Sequence, residues 1–84
     1  MSKRSYLTKR DKILLELLFK DKIIDYLLEA EESEENRIIV IYQSIIKLLH
    51  TAEKLSIDIN ELIEPEELLS IKKFLTLKGI DPDD

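Results

Sequence analysis

The 84-residue chain has no cysteine and no tryptophan, and it contains one glycine and only two prolines. Without cysteine, neither a disulfide nor a thiolate metal site can stabilise so short a chain, so its stability must come from apolar packing. So few helix breakers argue against a β-rich or loop-rich fold. The length predicts a single domain over residues 1–84.

Targeting signals are also lacking. The apolar run after the basic start is interrupted by Glu16, Lys20, Asp21 and Lys22, and no small-residue cleavage site follows it, so it is not typical of a signal peptide. No stretch of about 18 uncharged apolar residues is present, as a membrane-spanning helix requires. We therefore expect a cytoplasmic protein that does not contact a membrane.

What the chain does contain is leucine and isoleucine, which make up 28 of the 84 residues. The clearest helix is predicted over residues 34–54, capped by Ser33, because its apolar residues from Ile38 to Ala52 share one side. That apolar arc covers about half of the circumference, more than one partner helix needs. The central helix should therefore contact at least two neighbours.

Capping residues predict the other helices. Thr8 and Asp11 have the spacing of a capping box, which places the start of the first helix at Thr8. A short helix at 60–63 follows a capping Asp58 or Asn60. The last helix, 65–78, should begin with a proline in its first turn, end at Gly79, and be closed by Ile80 folding back.

Residues 13–28 do not fit a one-sided helix, because their apolar side chains point in nearly every direction at 100° per residue. Either the helix breaks near residues 19–22, with Asp21 capping a second piece, or it is continuous and covered on more than one side. The mixed faces favour a break. The excess of apolar surface predicts an all-α bundle of three to four helices, completed by dimerisation.

Signatures of catalysis are missing from the sequence. His50 is the only histidine, no Gly-x-Ser-x-Gly turn exists, and one glycine cannot build a phosphate-binding loop. The five glutamates between Glu29 and Glu35 lack the alternation and turn glycine of a calcium loop, so this run is read as a solvated connection. We expect no enzyme, no cofactor and no metal site.

Charge is distributed unevenly along the chain. Residues 1–12 sum to +4, whereas the remaining 72 sum to −9. Residues 1–7 are predicted to form a flexible basic arm and 81–84 an acidic, frayed tail. The arm and the residues after it supply the candidate nucleic-acid contacts, which are Lys3, Arg4, Lys9 and Arg10.

The segment LTKRDKILLELL, residues 7–18, resembles the opening helix of winged-helix DNA-binding domains. That resemblance implies a later recognition helix with exposed polar residues, but the following helices are acidic or aliphatic. A DNA-binding transcriptional regulator is therefore the alternative function.

Protein–protein interaction fits the sequence better, because apolar surface is in excess. We expect a non-enzymatic adaptor, inhibitor or regulator that binds a protein partner or itself as a homodimer. The composition, rich in Lys, Ile, Leu and Glu, is typical of AT-rich genomes, and small phage or mobile-element regulators match this size. The candidate interface residues lie off the main core stripes, and they are Leu15, Phe19, Tyr26, Val40, Leu69 and Leu77.

Overall fold

The computed structural model describes residues 8–82, and within them the chain is all-helical, with no strand. The described elements are α1 (Lys9–Glu31), α2 (Glu35–Lys54), a 3₁₀ turn (Ile59–Glu61) and α3 (Pro65–Leu77). The predicted all-α class is confirmed with three α-helices. The predicted basic arm, residues 1–7, and the last two residues of the acidic tail lie outside the described part.

Helix α1 begins as its capping residues predict. The Thr8 side chain accepts a hydrogen bond from the Asp11 backbone N–H at 3.1 Å, and the Asp11 carboxylate accepts one from the Thr8 N–H at 3.4 Å. The helix then runs without interruption to Glu31, so the break favoured near residues 19–22 is wrong. The sequence has neither glycine nor proline before Pro65, and a break would have sacrificed backbone hydrogen bonds that a continuous helix keeps.

Helix α2 is the centre of the bundle and packs against both α1 and α3. Its predicted apolar arc is confirmed, since Ile41, Ile45, Leu49 and Ala52 are buried. Its predicted cap is wrong. The Ser33 hydroxyl donates to the Glu29 carbonyl at the end of α1, at 2.6 Å, and the N-cap of α2 is Glu34, which makes no side-chain capping bond.

The C-termini of α2 and α3 close in the same way. After α3, Gly79 takes a φ of 79°, and the Ile80 N–H donates to the Leu75 carbonyl at 2.9 Å, as the sequence predicts. After α2, Ser56 takes the equivalent position with a φ of 64°, and the Ile57 N–H donates to the Ala52 carbonyl at 2.9 Å. Ser56 therefore holds a left-handed conformation that glycine adopts at lower cost.

The core lies along α2. Its fully buried large side chains come from all three helices and are Ile23, Ile45, Ile71 and Leu75. At one side of this core, the Tyr42 and Phe74 rings meet edge to face, with centroids 5.2 Å apart, and so join α2 to α3. Burial raises the pKa of the Tyr42 phenol above its ordinary value, and the Glu67 carboxylate raises it further.

Candidate protein-interaction surface

Helix α1 carries aliphatic side chains on two opposite faces. Its inner face packs against the bundle, with Ile23 only 1% and Ala30 only 6% exposed. Its other side carries the outer face, which we define as Ile13, Leu14, Leu17, Leu18, Ile24 and Leu28. At 100° per residue, these six positions fall within about 140° of the helix circumference. Continuous helix therefore explains why the apolar residues of 13–28 point both ways.

The outer face is exposed over its whole length. The six side chains range from 44% exposed at Ile24 to 63% at Leu18. Singly exposed leucines are common on protein surfaces, but six exposed aliphatic side chains along four turns of one helix, interrupted only at Asp21 and Asp25, are typical of an interaction site. The outer face is thus the largest apolar feature of this helix that the bundle does not cover.

Of the six interface residues predicted from the sequence, three pack against the core and three are exposed. Leu15, Phe19 and Tyr26 are partly buried and pack against the core, so their placement off the core stripes is wrong. Val40, Leu69 and Leu77 are exposed, by 54%, 55% and 83%. The sequence does not reveal the outer face, because both sides of α1 are aliphatic and only packing against α2 decides which side is inner.

A second, smaller apolar patch lies on α3. Leu69 and Leu77 line a shallow hollow of about 530 Å³ together with Thr76 and Pro82. Lys72 and Lys73 also line this hollow, so its apolar surface is interrupted by charge. Val40 stands apart from it on α2. These exposed residues form a less continuous surface than the outer face of α1.

The charges of α1 run against its own helix dipole. Its first turn contains Lys9, Arg10 and Lys12 against one carboxylate, and its last turn contains no basic residue. The last turn and its cap contain Glu29, Glu31 and Glu32. Cations near a helix N-terminus and carboxylates near a C-terminus are each unfavourable by about 0.3–1 kcal/mol when exposed. This arrangement therefore does not serve the stability of α1 itself.

One partner inside the chain offsets part of the acidic charge. The Arg37 guanidinium donates to one Glu29 oxygen from Nε at 3.0 Å and from Nη2 at 2.6 Å. The pair is on the surface, with side chains 63% and 42% exposed, so it contributes at most about 1 kcal/mol. Lys78 forms a further ion pair with Glu35. Glu31 and Glu32 extend the acidic end of α1 beyond these pairs.

Only two of the four candidate nucleic-acid contacts lie in the described part of the chain. Lys9 and Arg10 are exposed on the first turn of α1, whereas Lys3 and Arg4 lie outside the described residues. No strand accompanies the helices between residues 8 and 82, so this part of the chain does not form a winged helix. The resemblance of residues 7–18 is therefore limited to one helix.

Other kinds of site find little support in the described part of the chain. No group of three or more His, Asp or Glu side chains there could hold a metal ion. His50 is partly buried beside a hollow of about 210 Å³ whose other polar lining residues are Glu53 and Lys72. None of the helices between residues 8 and 82 has the length and hydropathy needed to cross a membrane.

No protein-family model, curated protein or solved structure matches this chain.

Proposed function

We propose that this protein is a non-enzymatic interaction module, an adaptor, inhibitor or regulator of the cytoplasm, that binds a protein partner through the outer face of α1. The observation that supports the proposal is the exposure of six leucine and isoleucine side chains along one side of a helix whose opposite face already packs in the core. In this proposal the self-association expected from the sequence uses the same face.

The expected partner surface is an apolar helix or an apolar groove. A helix with exposed residues at spacings of three and four, as from Leu14 to Leu17 and Leu18, binds by laying that stripe against a matching apolar surface. Burying the exposed half of one leucine contributes about 1 kcal/mol, since full burial contributes about 1.5–3 kcal/mol. Six such side chains contribute about 6 kcal/mol, and the apolar surface that the partner buries against them must supply the rest of what offsets an association cost of about 4–15 kcal/mol.

The test is a quantitative capture experiment with matched variants. Proteins from the native host are captured with the wild-type chain, with Leu17→Glu and with Leu77→Glu. Isotope labels allow the amount of each captured protein to be compared among the three. Both replaced leucines are exposed, so both variants should fold, which circular dichroism checks. We expect the specific partner to be lost with Leu17→Glu and kept with Leu77→Glu.

Two results would contradict the proposal. Capture that is unchanged by Leu17→Glu would show that the outer face does not bind the partner. Equal loss with Leu17→Glu and Leu77→Glu would show only general apolar adhesion. Binding of duplex DNA at moderate salt, abolished by neutralising the four basic residues, would instead favour the alternative function.

A further inference from the structure

We infer that the occupant of the outer face is a second copy of this chain, with its α1 lying antiparallel to the first. The inference rests on the proposed function, because it names the partner of the same surface. Three features of α1 support it: the spacing of the outer residues, their symmetry about Asp21, and the opposite charges at the two ends of the helix.

A regular seam runs along the outer face and includes Asp21 between its aliphatic residues. Leu14, Leu17, Asp21, Ile24 and Leu28 follow one another at alternating spacings of three and four residues, which is the repeat of a two-helix coiled coil. This seam covers 15 residues, and its two ends are about 21 Å apart along the helix. A straight helix partner can follow it from end to end.

The seam reads nearly the same in both directions. Leu14 and Leu17 precede Asp21 by seven and four residues, and Ile24 and Leu28 follow it by three and seven. A twofold-symmetric contact needs such a self-complementary surface, because each copy presents the same patch to the other. In an antiparallel pair, the leucines before Asp21 meet aliphatic residues after it. Asp21 then lies near the twofold axis.

Charge decides the direction of the pair. The same spacing extends the seam to Arg10 at the basic end and to Glu31 at the acidic end. Antiparallel packing brings the basic first turn of each α1 against the acidic last turn of the other, whereas parallel packing would place like charges side by side. It also offsets the unfavourable charges at both helix ends. Asp21 faces its own copy near the axis in either direction, so its two carboxylates repel and weaken the pair without deciding its orientation.

The apolar part of the contact is short, about two heptads, so we expect micromolar association rather than an obligate dimer. Leu17→Ala removes half-exposed apolar surface from both copies, and it should raise the dissociation constant about thirtyfold. Sedimentation velocity across a concentration series measures this change. Leu77→Ala, which alters an exposed leucine of α3, is the matched control and should leave the constant unchanged.

The absence of cysteine from the chain allows a direct test of direction. Full-length chains carrying Arg10→Cys, Asp21→Cys or Glu31→Cys are treated with a short bismaleimide at micromolar concentration. Positions 10 and 31 of one helix lie about 32 Å apart. In the antiparallel pair, Asp21→Cys therefore crosslinks to itself, whereas Arg10→Cys and Glu31→Cys crosslink only when mixed with each other. Leu77→Cys controls for random collision.

Each outcome has a definite meaning. Self-crosslinking of Arg10→Cys and of Glu31→Cys would show a parallel pair and overturn the proposed direction. A wild-type chain that sediments as a monomer throughout, with no crosslink above the Leu77→Cys level, would overturn the second copy as occupant. That result would leave the proposed function standing if host-partner capture still depends on Leu17. A chain that stays monomeric, together with host-partner capture that does not depend on Leu17, would overturn both proposals.

Discussion

Two neighbouring isoleucines of α1 allow the two faces of the helix to be separated experimentally. Ile23 is 1% exposed in the core, whereas Ile24, the next residue, is 44% exposed on the outer face. The change to alanine is chemically identical at both positions and keeps the helix propensity effect the same. Any difference between Ile23→Ala and Ile24→Ala therefore measures the environment of each side chain.

The expected magnitudes differ severalfold. Ile23→Ala removes buried methyl groups and leaves a cavity, which lowers the free energy of unfolding by about 2–5 kcal/mol. For 84 residues the total is on the order of 4–13 kcal/mol, so this single change removes a large fraction of it. Ile24→Ala leaves no enclosed cavity and gains from the higher helix propensity of alanine. It should therefore lower the free energy of unfolding of the monomer by only about 0.5 kcal/mol.

Urea denaturation, followed by far-UV circular dichroism at several protein concentrations, measures both effects. At low protein concentration the urea midpoint should fall strongly for Ile23→Ala and little for Ile24→Ala. The m value, the slope of the free energy of unfolding against urea concentration, should stay unchanged. At high protein concentration the urea midpoint of Ile24→Ala should fall further below that of the wild-type chain, because self-association stabilises the wild-type chain by mass action. Equal losses for the two variants at low concentration would refute the assignment of inner and outer faces.

Three further predictions follow from the described residues. Ser56→Gly should raise the free energy of unfolding by about 0.5–1 kcal/mol, because glycine removes the left-handed strain at the end of α2, and a lower urea midpoint would contradict this. Because the folded pKa of Tyr42 is raised, its stabilising contribution is present below the unfolded pKa and is lost as pH rises through the folded value. Urea midpoints should therefore fall above about pH 10 more steeply for the wild-type chain than for Tyr42→Phe, and parallel curves would exclude this cause. Glu34→Ser should stabilise α2 by about 0.5–1 kcal/mol in thermal unfolding by supplying the missing cap, and an unchanged or lower melting temperature would contradict this.

Local signals in the sequence predicted much of the fold. The capping box at Thr8, the one-sided arc of α2, and the glycine closure after α3 each depend on a few residues close together in the chain, and each was confirmed. Ser33 shows where such signals fail. Its hydroxyl lies within reach of two helices, and it bonds to the end of α1 rather than to the start of α2.

The candidate site was not predictable in the same way. Leu15 and Leu14 are neighbours of the same type, yet the first packs against the core and the second is 53% exposed. Hydrophobic periodicity cannot show which of two apolar faces of one helix is buried, because apolar residues lie on both sides of the helix. Only the geometry of α2 against α1 assigns Leu15 to the bundle and leaves Leu14 outside.

The exposed stripe on α1 also bears on how much of this protein a cell can hold. Chaperones and proteases act continuously on chains that expose apolar surface, as unfolded chains do. If the outer face is covered only by association, then dilution uncovers it, and a chain made in excess of its partner is removed first. The abundance of the protein would then be set by assembly stoichiometry, not by synthesis alone.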